Sequence, residues 1–274
     1  MDDHETREVV ARRYGEHLTD ADLLALCGDR PDQVAALRRH PVLVLDLLDR
    51  PPVAEAVLRA DHDRAGRFRH VSPFLVFAAA VHRVAGALVG RSHVPDRTAP
   101  RSRVPVFDGP VLAAFAADPA HRLFLAELLA SYARLASGVL WRRDPQGPRR
   151  HRWDELDLPA LAELVLTLPE DQRAGGWRRL GDGALFLAGV FPEYAERTYG
   201  DAGLTRLAPL AGPRPEGPVT ELLEALAGRA YARAGAAVPS GVVESPHAAR
   251  RVLALVADHH LHAQEGYGPA TGVR

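Results

Sequence analysis

"RRLGDGALFLAGVFPEY", residues 178–194, is the stretch whose reading decides the fold. It is apolar at helical spacing, yet it holds Gly181, Gly183 and Gly189, with Gly175 and Gly176 just upstream. A glycine inside a helix costs about 1 kcal/mol relative to alanine. Three gains could offset that cost: close helix contact, room for a ligand, or a membrane crossing.

A crossing takes roughly 18 or more consecutive apolar residues. The run 183–192 is too short, and Asp182 and Glu193 bracket it. The other apolar run, "SPFLVFAAAVHRVAGALVG" (72–90), is interrupted by His82 and Arg83. An arginine at mid-membrane costs about 3 kcal/mol on insertion scales. Gly86-x-x-x-Gly90 within it is a pattern that close-packed soluble helices also use. Both runs read as core helices of a soluble protein, and no membrane partner is expected.

Contact and ligand remain. Gly181, Ala184, Ala188 and Ala195 recur at helical intervals as a strip of small residues. Leu180, Leu187, Val190, Phe191 and Tyr194 supply bulk on other faces. A helix with one small face admits a second helix at short range. The expected partner is 73–90, whose Ala78, Ala79, Ala85 and Gly86 are also small. Asp182 is the one charge inside the stretch, and an unpaired buried carboxylate is expensive. It reads as an ion pair with Arg178 or Arg179, four and three residues earlier. The functional alternative is a pocket, with Asp182, Arg178, Arg179 and His82 as its candidate residues.

"LGDGALFLAGVFPEY" and the later "GRAYARAGAAV" resemble segments of a family of uncharacterised all-helical bacterial proteins. In that family similar Leu-Gly-(Asp/Asn), Leu-Phe, Gly and Phe-Pro elements occur in this order. The resemblance runs from Ser72-Pro73 to the C-terminus. It implies a helical fold and carries no activity, so it assigns no residue a role.

The rest of the chain is punctuated by proline where helices begin. Ser72-Pro73, Asp118-Pro119 and Ser245-Pro246 each pair a capping residue with proline at the first helical position. Thr19 with Asp22 has the form of a capping box. Apolar stripes of period 3.6 follow, as in Leu125, Leu128, Leu129, Tyr132 and Leu135. The pattern predicts helices over 5–17, 19–27, 32–39, 42–49, 52–61, 73–90, 109–117, 119–137, 159–168, 172–191, 193–199, 218–236 and 246–263. Strand alternation is scarce, and 91–110 and 141–153 read as loops, with 209–218 a Pro/Gly connector. The fold class is all-α: one compact multi-helix domain over 1–274 with a buried Gly/Ala-rich central helix. Residues 1–70 are a candidate N-terminal helical subdomain.

Composition closes several chemistries. All 34 basic residues are arginine, and lysine, asparagine and isoleucine are absent, as a GC-rich coding bias would produce. Without lysine there is no Schiff base and no phosphate-gripping lysine of the nucleotide-binding motifs. Without asparagine there is no N-glycosylation acceptor. The net charge of −1 gives no overall pull toward nucleic acid. The single cysteine, Cys27, excludes an intrachain disulfide and reads as a small buried residue of a reduced protein. "MDDHETREVV" lacks the basic and apolar regions of a signal peptide, so a cytoplasmic location is expected.

The densest set of metal-ligand types is "ADHHLHAQEGYG" (257–268). On a continuing helix Asp258, His259, His262 and Glu265 fall three or four residues apart, close enough to share a metal. No second helix offers Glu-x-x-His or His-Glu-x-x-His, so no stoichiometric metal and no other cofactor is expected. "DHD" (61–63) contains the His-Asp pair of helical phosphohydrolases, which would recruit His17 or His40, His82, His121 and Asp258. "DDHETRE" (2–8) reads as a solvated helix start. Arg142, Arg143, Arg149, Arg150, His151 and Arg152, flanked by Trp141 and Trp153, form the only basic cluster. It reads as a solvated loop.

The reading that results is a binding protein that recognises another protein or itself, and it leans away from an enzyme. The alternatives are a helical metal-binding protein built on the C-terminal His/Glu cluster and nucleic-acid binding through 142–152.

Overall fold

The structure, a computed structural model, describes residues 3–28, 30–62, 71–99, 102–133, 137–144, 147–199, 207, 209–211 and 217–261. It is mostly helical. The chain divides into two compact units, Met1–Ala130 with Arg251–Arg274, and Ser131–Arg250.

The first unit contains α1 (Asp3–His17), α2 (Asp20–Leu26), α3 (Pro31–Arg39), α4 (Val42–Leu48), α5 (Pro51–His62) and α6 (Pro73–Leu88). A hairpin of β1 (Val94–Ala99) and β2 (Ser102–Val106) follows, then α7 (Gly109–Ala117) and most of α8 (Pro119–Ser131). The capping box at Thr19 is present: its hydroxyl accepts from the Asp22 amide while an Asp22 oxygen accepts from the Thr19 amide. The other oxygen of Asp22 accepts from the Ser72 amide at 2.6 Å, and Ser72 in turn caps α6 through the Leu75 amide. One fully buried carboxylate therefore ties together the starts of two helices. Helix α6 presents Leu75, Ala78, Ala79 and Val81 to the core and packs against α5. It stops at Gly90, whose φ of +76° is the left-handed conformation that ends helices.

The 91–110 stretch, read as a loop from its sequence, contains the first hairpin. Pro95 and Pro105 lie opposite each other in its register. They hid the strand pattern, and both are tolerated because a two-stranded ribbon has only edges. The 119–137 helix is shorter than its stripe suggests and ends at Ser131; Leu135 lies outside the described residues. At the C-terminal end, α14 (Pro246–Val256) runs into a π-helical turn, Ala257–Leu261, where the 3.6 spacing no longer holds.

From its own residues onward, Arg251 grips the first hairpin. It is 1 % exposed. Its Nε and one terminal nitrogen donate to the two Asp108 oxygens at 2.8 and 3.2 Å. The other nitrogen lies 2.7 Å from Asp96, and the Val94 and Pro95 carbonyls each accept at 3.3 Å.

The second unit contains a hairpin of β3 (Ser137–Asp144) and β4 (Gly147–Asp154), then α9 (Leu158–Thr167), α10 (Glu170–Val190) and α11 (Pro192–Thr198). After it come α12 (Val219–Ala234), α13 (Ser240–Glu244) and the first turn of α14. The 141–153 stretch, also read as a loop, is thus mostly strand. Every residue of α10 from Leu180 to Val190 is buried, so this is the central Gly/Ala-rich helix. It packs against α12 and α9.

Three of the glycines, Gly176, Gly181 and Gly183, sit at close approaches, whereas a Cβ on Gly175 would meet nothing within 4 Å. A Cβ on Gly181 would lie 2.5 Å from the Tyr231 ring on α12. One on Gly183 would lie 2.8 Å from Leu158, and one on Gly176 would lie 2.8 Å from Val165. The helix that fills the small face is α12, whereas 73–90, the expected partner, belongs to the first unit. What enters the notch is a large ring, so matching small residues to small residues pointed to the wrong helix. Among the described residues no helix is long and apolar enough to cross a membrane.

Candidate functional site

Four side chains from four parts of the first unit form one chain of contacts, buried except at Asp49. Tyr14 on α1 donates its hydroxyl to His82 Nε2 on α6 at 3.0 Å. His82 Nδ1 lies 2.8 Å from Asp49 Oδ1, just past the end of α4. Arg122 on α8 donates to the same oxygen at 2.8 Å. An ionised carboxylate only accepts, so Nδ1 carries the proton and Nε2 is the acceptor. Burial pushes the His82 pKa down and keeps the ring neutral, against the pull of Asp49. Burial alone would raise Asp49, but the bond from His82 and the charges of Arg122 and Arg7 hold it below the usual carboxylate value. Burial drives the Tyr14 hydroxyl far up.

A cavity of about 110 Å³ lies beside this chain, lined by Leu48, Asp49, Pro51, Ala54, His82 and Gly86 among others. A Cβ on Gly86 would meet nothing within 4 Å. Of the pocket candidates from the sequence, His82 is the one that lines it. The exposed end of the polar chain is Asp49, whose side chain is 36 % accessible, while the His82 side chain is wholly buried. An Asp-His-Tyr series can polarise a hydroxyl, but Tyr14 is 0 % exposed. Its oxygen meets packed core, so the series works here as an internal brace.

A pH dependence follows. His82 has a folded pKa below its unfolded value of about 6.5. Its contribution is fully present above that unfolded value and is lost as pH falls through the lower folded one. Urea midpoints should fall between about pH 7 and about pH 5, and His82→Gln should flatten that slope. Equal slopes in the two proteins would refute the assignment.

The second candidate set centres on Asp182. Asp182 accepts from the Tyr231 hydroxyl at 3.0 Å and lies 3.8 Å from Arg178 Nε. Arg178 also donates to the Ala237 carbonyl at 2.6 Å. Of the two arginines weighed for Asp182, Arg178 is the nearer partner, and it is a loose one. Arg179 is committed elsewhere, to Glu155 at 2.8 Å and to the Ser131 hydroxyl at 2.7 Å. Its guanidinium also stacks 3.9 Å over the Tyr132 ring, whose plane stacks in turn on Phe186. Tyr231, which donates to Asp182, was missed because nothing in the sequence links residues 49 apart.

The C-terminal candidates are dispersed. Asp258 bridges Arg97 at 3.2 Å and Arg103 at 3.0 Å on the first hairpin. His259 is exposed, with the His260 ring 6.3 Å away. His262 and Glu265 lie outside the described residues, as does Asp63. Among the described residues no three metal-ligand side chains converge. His17 contacts Glu127 at 3.0 Å and stacks on Phe74, and His121 contacts the Phe115 carbonyl at 2.8 Å. Cys27 is buried, and burial pushes its thiol pKa up.

One surface feature had no sequence signal. Phe107 is 78 % exposed, Val89 76 % and Val111 61 %. Residues 107–111 run beside the chain just past the end of α6. Gly109 sits so close to the Arg91 carbonyl that a Cβ there would collide with it. The rings of His93 and Phe107 are 5.6 Å apart.

No family model, no curated protein and no solved structure matches the chain.

Proposed function

We propose that the protein works by binding another protein chain or a second copy of itself, through the ridge around Phe107. The observation that carries this reading is the exposure of Phe107, Val89 and Val111, three apolar side chains left mostly in water on two segments that meet where Gly109 abuts Arg91. Single exposed apolar residues are ordinary, whereas a contiguous group marks an interaction surface. Aromatic residues at such a centre supply much of the binding energy. The reading needs no cofactor. A cytoplasmic setting suits the single buried Cys27.

Sedimentation equilibrium of wild type and Phe107→Asp tests self-association. Loss of a central aromatic should weaken it by about ten-fold or more, with the unfolding midpoint unchanged because Phe107 is exposed. A photo-crosslinker at Val111 tests a heterologous partner. A wild type that stays monomeric and gives no crosslink sensitive to Phe107→Asp would remove this reading.

A further inference from the structure

Helix α7, "GPVLAAFAA", carries no polar side chain. Leu112, Phe115 and Ala116 are buried, yet Pro110, Val111, Ala114 and Ala117 are exposed. These four share one face at helical spacing, so an uncharged face about 13 Å long stands in water. Its two ends differ in charge. The N-terminal end lies against residue 91, since a Cβ on Gly109 would collide with the Arg91 carbonyl. Arg91 is exposed, and no acid among the described residues pairs with it. Asp108, the acid at that end, is already taken by Arg251. At the C-terminal end stands Asp118, whose side chain is 42 % accessible. One of its oxygens caps α8 through the Ala120 amide at 2.8 Å, and the other has His121 3.5 Å away. A cation at the start of α7 is disfavoured by that helix's own dipole and favoured beside the C-terminal end of another helix.

We propose that two copies of the chain meet through this face across a twofold axis near Ala114, with their α7 helices antiparallel. This rests on the reading of the Phe107 surface as an interaction site and commits that site to a second copy. A twofold axis sets one patch against itself. Antiparallel pairing brings Arg91 of one copy to Asp118 of the other, twice, with apolar contact between. A partner of one charge sign would satisfy one end of the face and be repelled at the other. A second copy offers the opposite sign at each end. The face is about 13 Å by 10 Å, small beside the roughly 800 Å² per partner of a standard interface, so the dimer is weak and reversible even with the Phe107 ring added.

The test places cysteines on the exposed face of the full chain under mild oxidation, with the buried Cys27 left in place. Ala114→Cys, beside the axis, should form a disulfide-linked dimer where wild type forms none. Ala117→Cys should not link to itself. Three residues from the axis, its two copies lie about 9 Å apart along the helices, beyond the roughly 7 Å reach of a disulfide. Val111→Cys mixed with Ala117→Cys should link, because those positions face each other. In sedimentation equilibrium Arg91→Glu should raise the dimer dissociation constant by about five-fold or more, since two ion pairs become two repulsions. Arg39→Glu, an exposed change on α3, should stay within about two-fold. A dimer that Phe107→Asp weakens but Ala114→Cys does not lock would overturn the antiparallel pairing and leave the interaction reading standing. So would a monomeric wild type whose Val111 crosslinks to a different protein. Equal linking of Ala114→Cys and Ala117→Cys, or an Arg91→Glu dimer as tight as wild type, would also overturn the pairing. A monomer with no crosslink sensitive to Phe107→Asp removes both.

Discussion

Arg251→Ala is expected to destabilise the first unit by about 3–5 kcal/mol, the cost of removing one partner from a buried ion pair. The guanidinium is 1 % exposed and makes five contacts, to Asp108 twice, to Asp96 and to the carbonyls of Val94 and Pro95. Alanine would leave two partly buried carboxylates facing each other's charge and two carbonyls without their donor. Leaving a buried group unsatisfied costs more than the net value of the bond it made. The hairpin β1–β2 should suffer most, because Arg251 and the Asp258 bridge to Arg97 and Arg103 are what fasten its strands to the C-terminal helix.

Arg251→Lys should recover only part of the loss. Lysine keeps the charge but cannot present two parallel donors to Asp108. In the double variant Arg251→Ala/Asp108→Ala the second substitution should cost far less than it does alone, since residues in one network are not additive. Urea unfolding followed by far-UV circular dichroism measures all of these. A shift below about 1 kcal/mol for Arg251→Ala would show that the pair is not what holds the hairpin.

The helices were legible because their signals are local. Proline at the first turn, Ser72 as a cap and the Thr19–Asp22 box all act within a few residues of the boundary they set. The hairpins were not legible for two different reasons. In β1–β2 the prolines at 95 and 105 break the alternation that marks a strand. In β3–β4 the run of arginine looked like solvated loop, although Asp144-Pro145-Gln146-Gly147 has the composition of a tight turn between two short runs. A charge run and a polar ribbon differ only in register, which one strand alone does not reveal.

The candidate sites divide the same way. His82 stood out as a lone polar side chain in an apolar helix, but Tyr14 and Asp49 lie 68 and 33 residues away. Asp182 stood out likewise. Its i−4 neighbour Arg178 was within reach of sequence reasoning, and Tyr231 was not. The exposed ridge was invisible because Val89, Phe107 and Val111 are apolar residues like those of the core. Only the fold shows which of them face water.

Gly181→Ala is expected to destabilise the second unit by about 1–3 kcal/mol, although alanine is the better helix former by about 1 kcal/mol. The added methyl would sit 2.5 and 2.6 Å from two carbons of the Tyr231 ring, inside any van der Waals contact. That ring is fully buried and tethered at its far end to Asp182, so it cannot swing clear without cost. Moving it would break the hydrogen bond to a carboxylate that is itself 6 % exposed, with Arg178 3.8 Å away. Overpacking strain and a weakened buried bond therefore act together against the helix-propensity gain. The companion variant Tyr231→Phe separates them: it keeps the ring and removes the bond, at a cost of about 1–3 kcal/mol. All three tryptophans lie in this unit, at 141, 153 and 177, so intrinsic fluorescence in a urea titration reports on it directly. If Gly181→Ala raises the midpoint, the notch at Gly181 has slack, and close packing against α12 is not why glycine occupies this position.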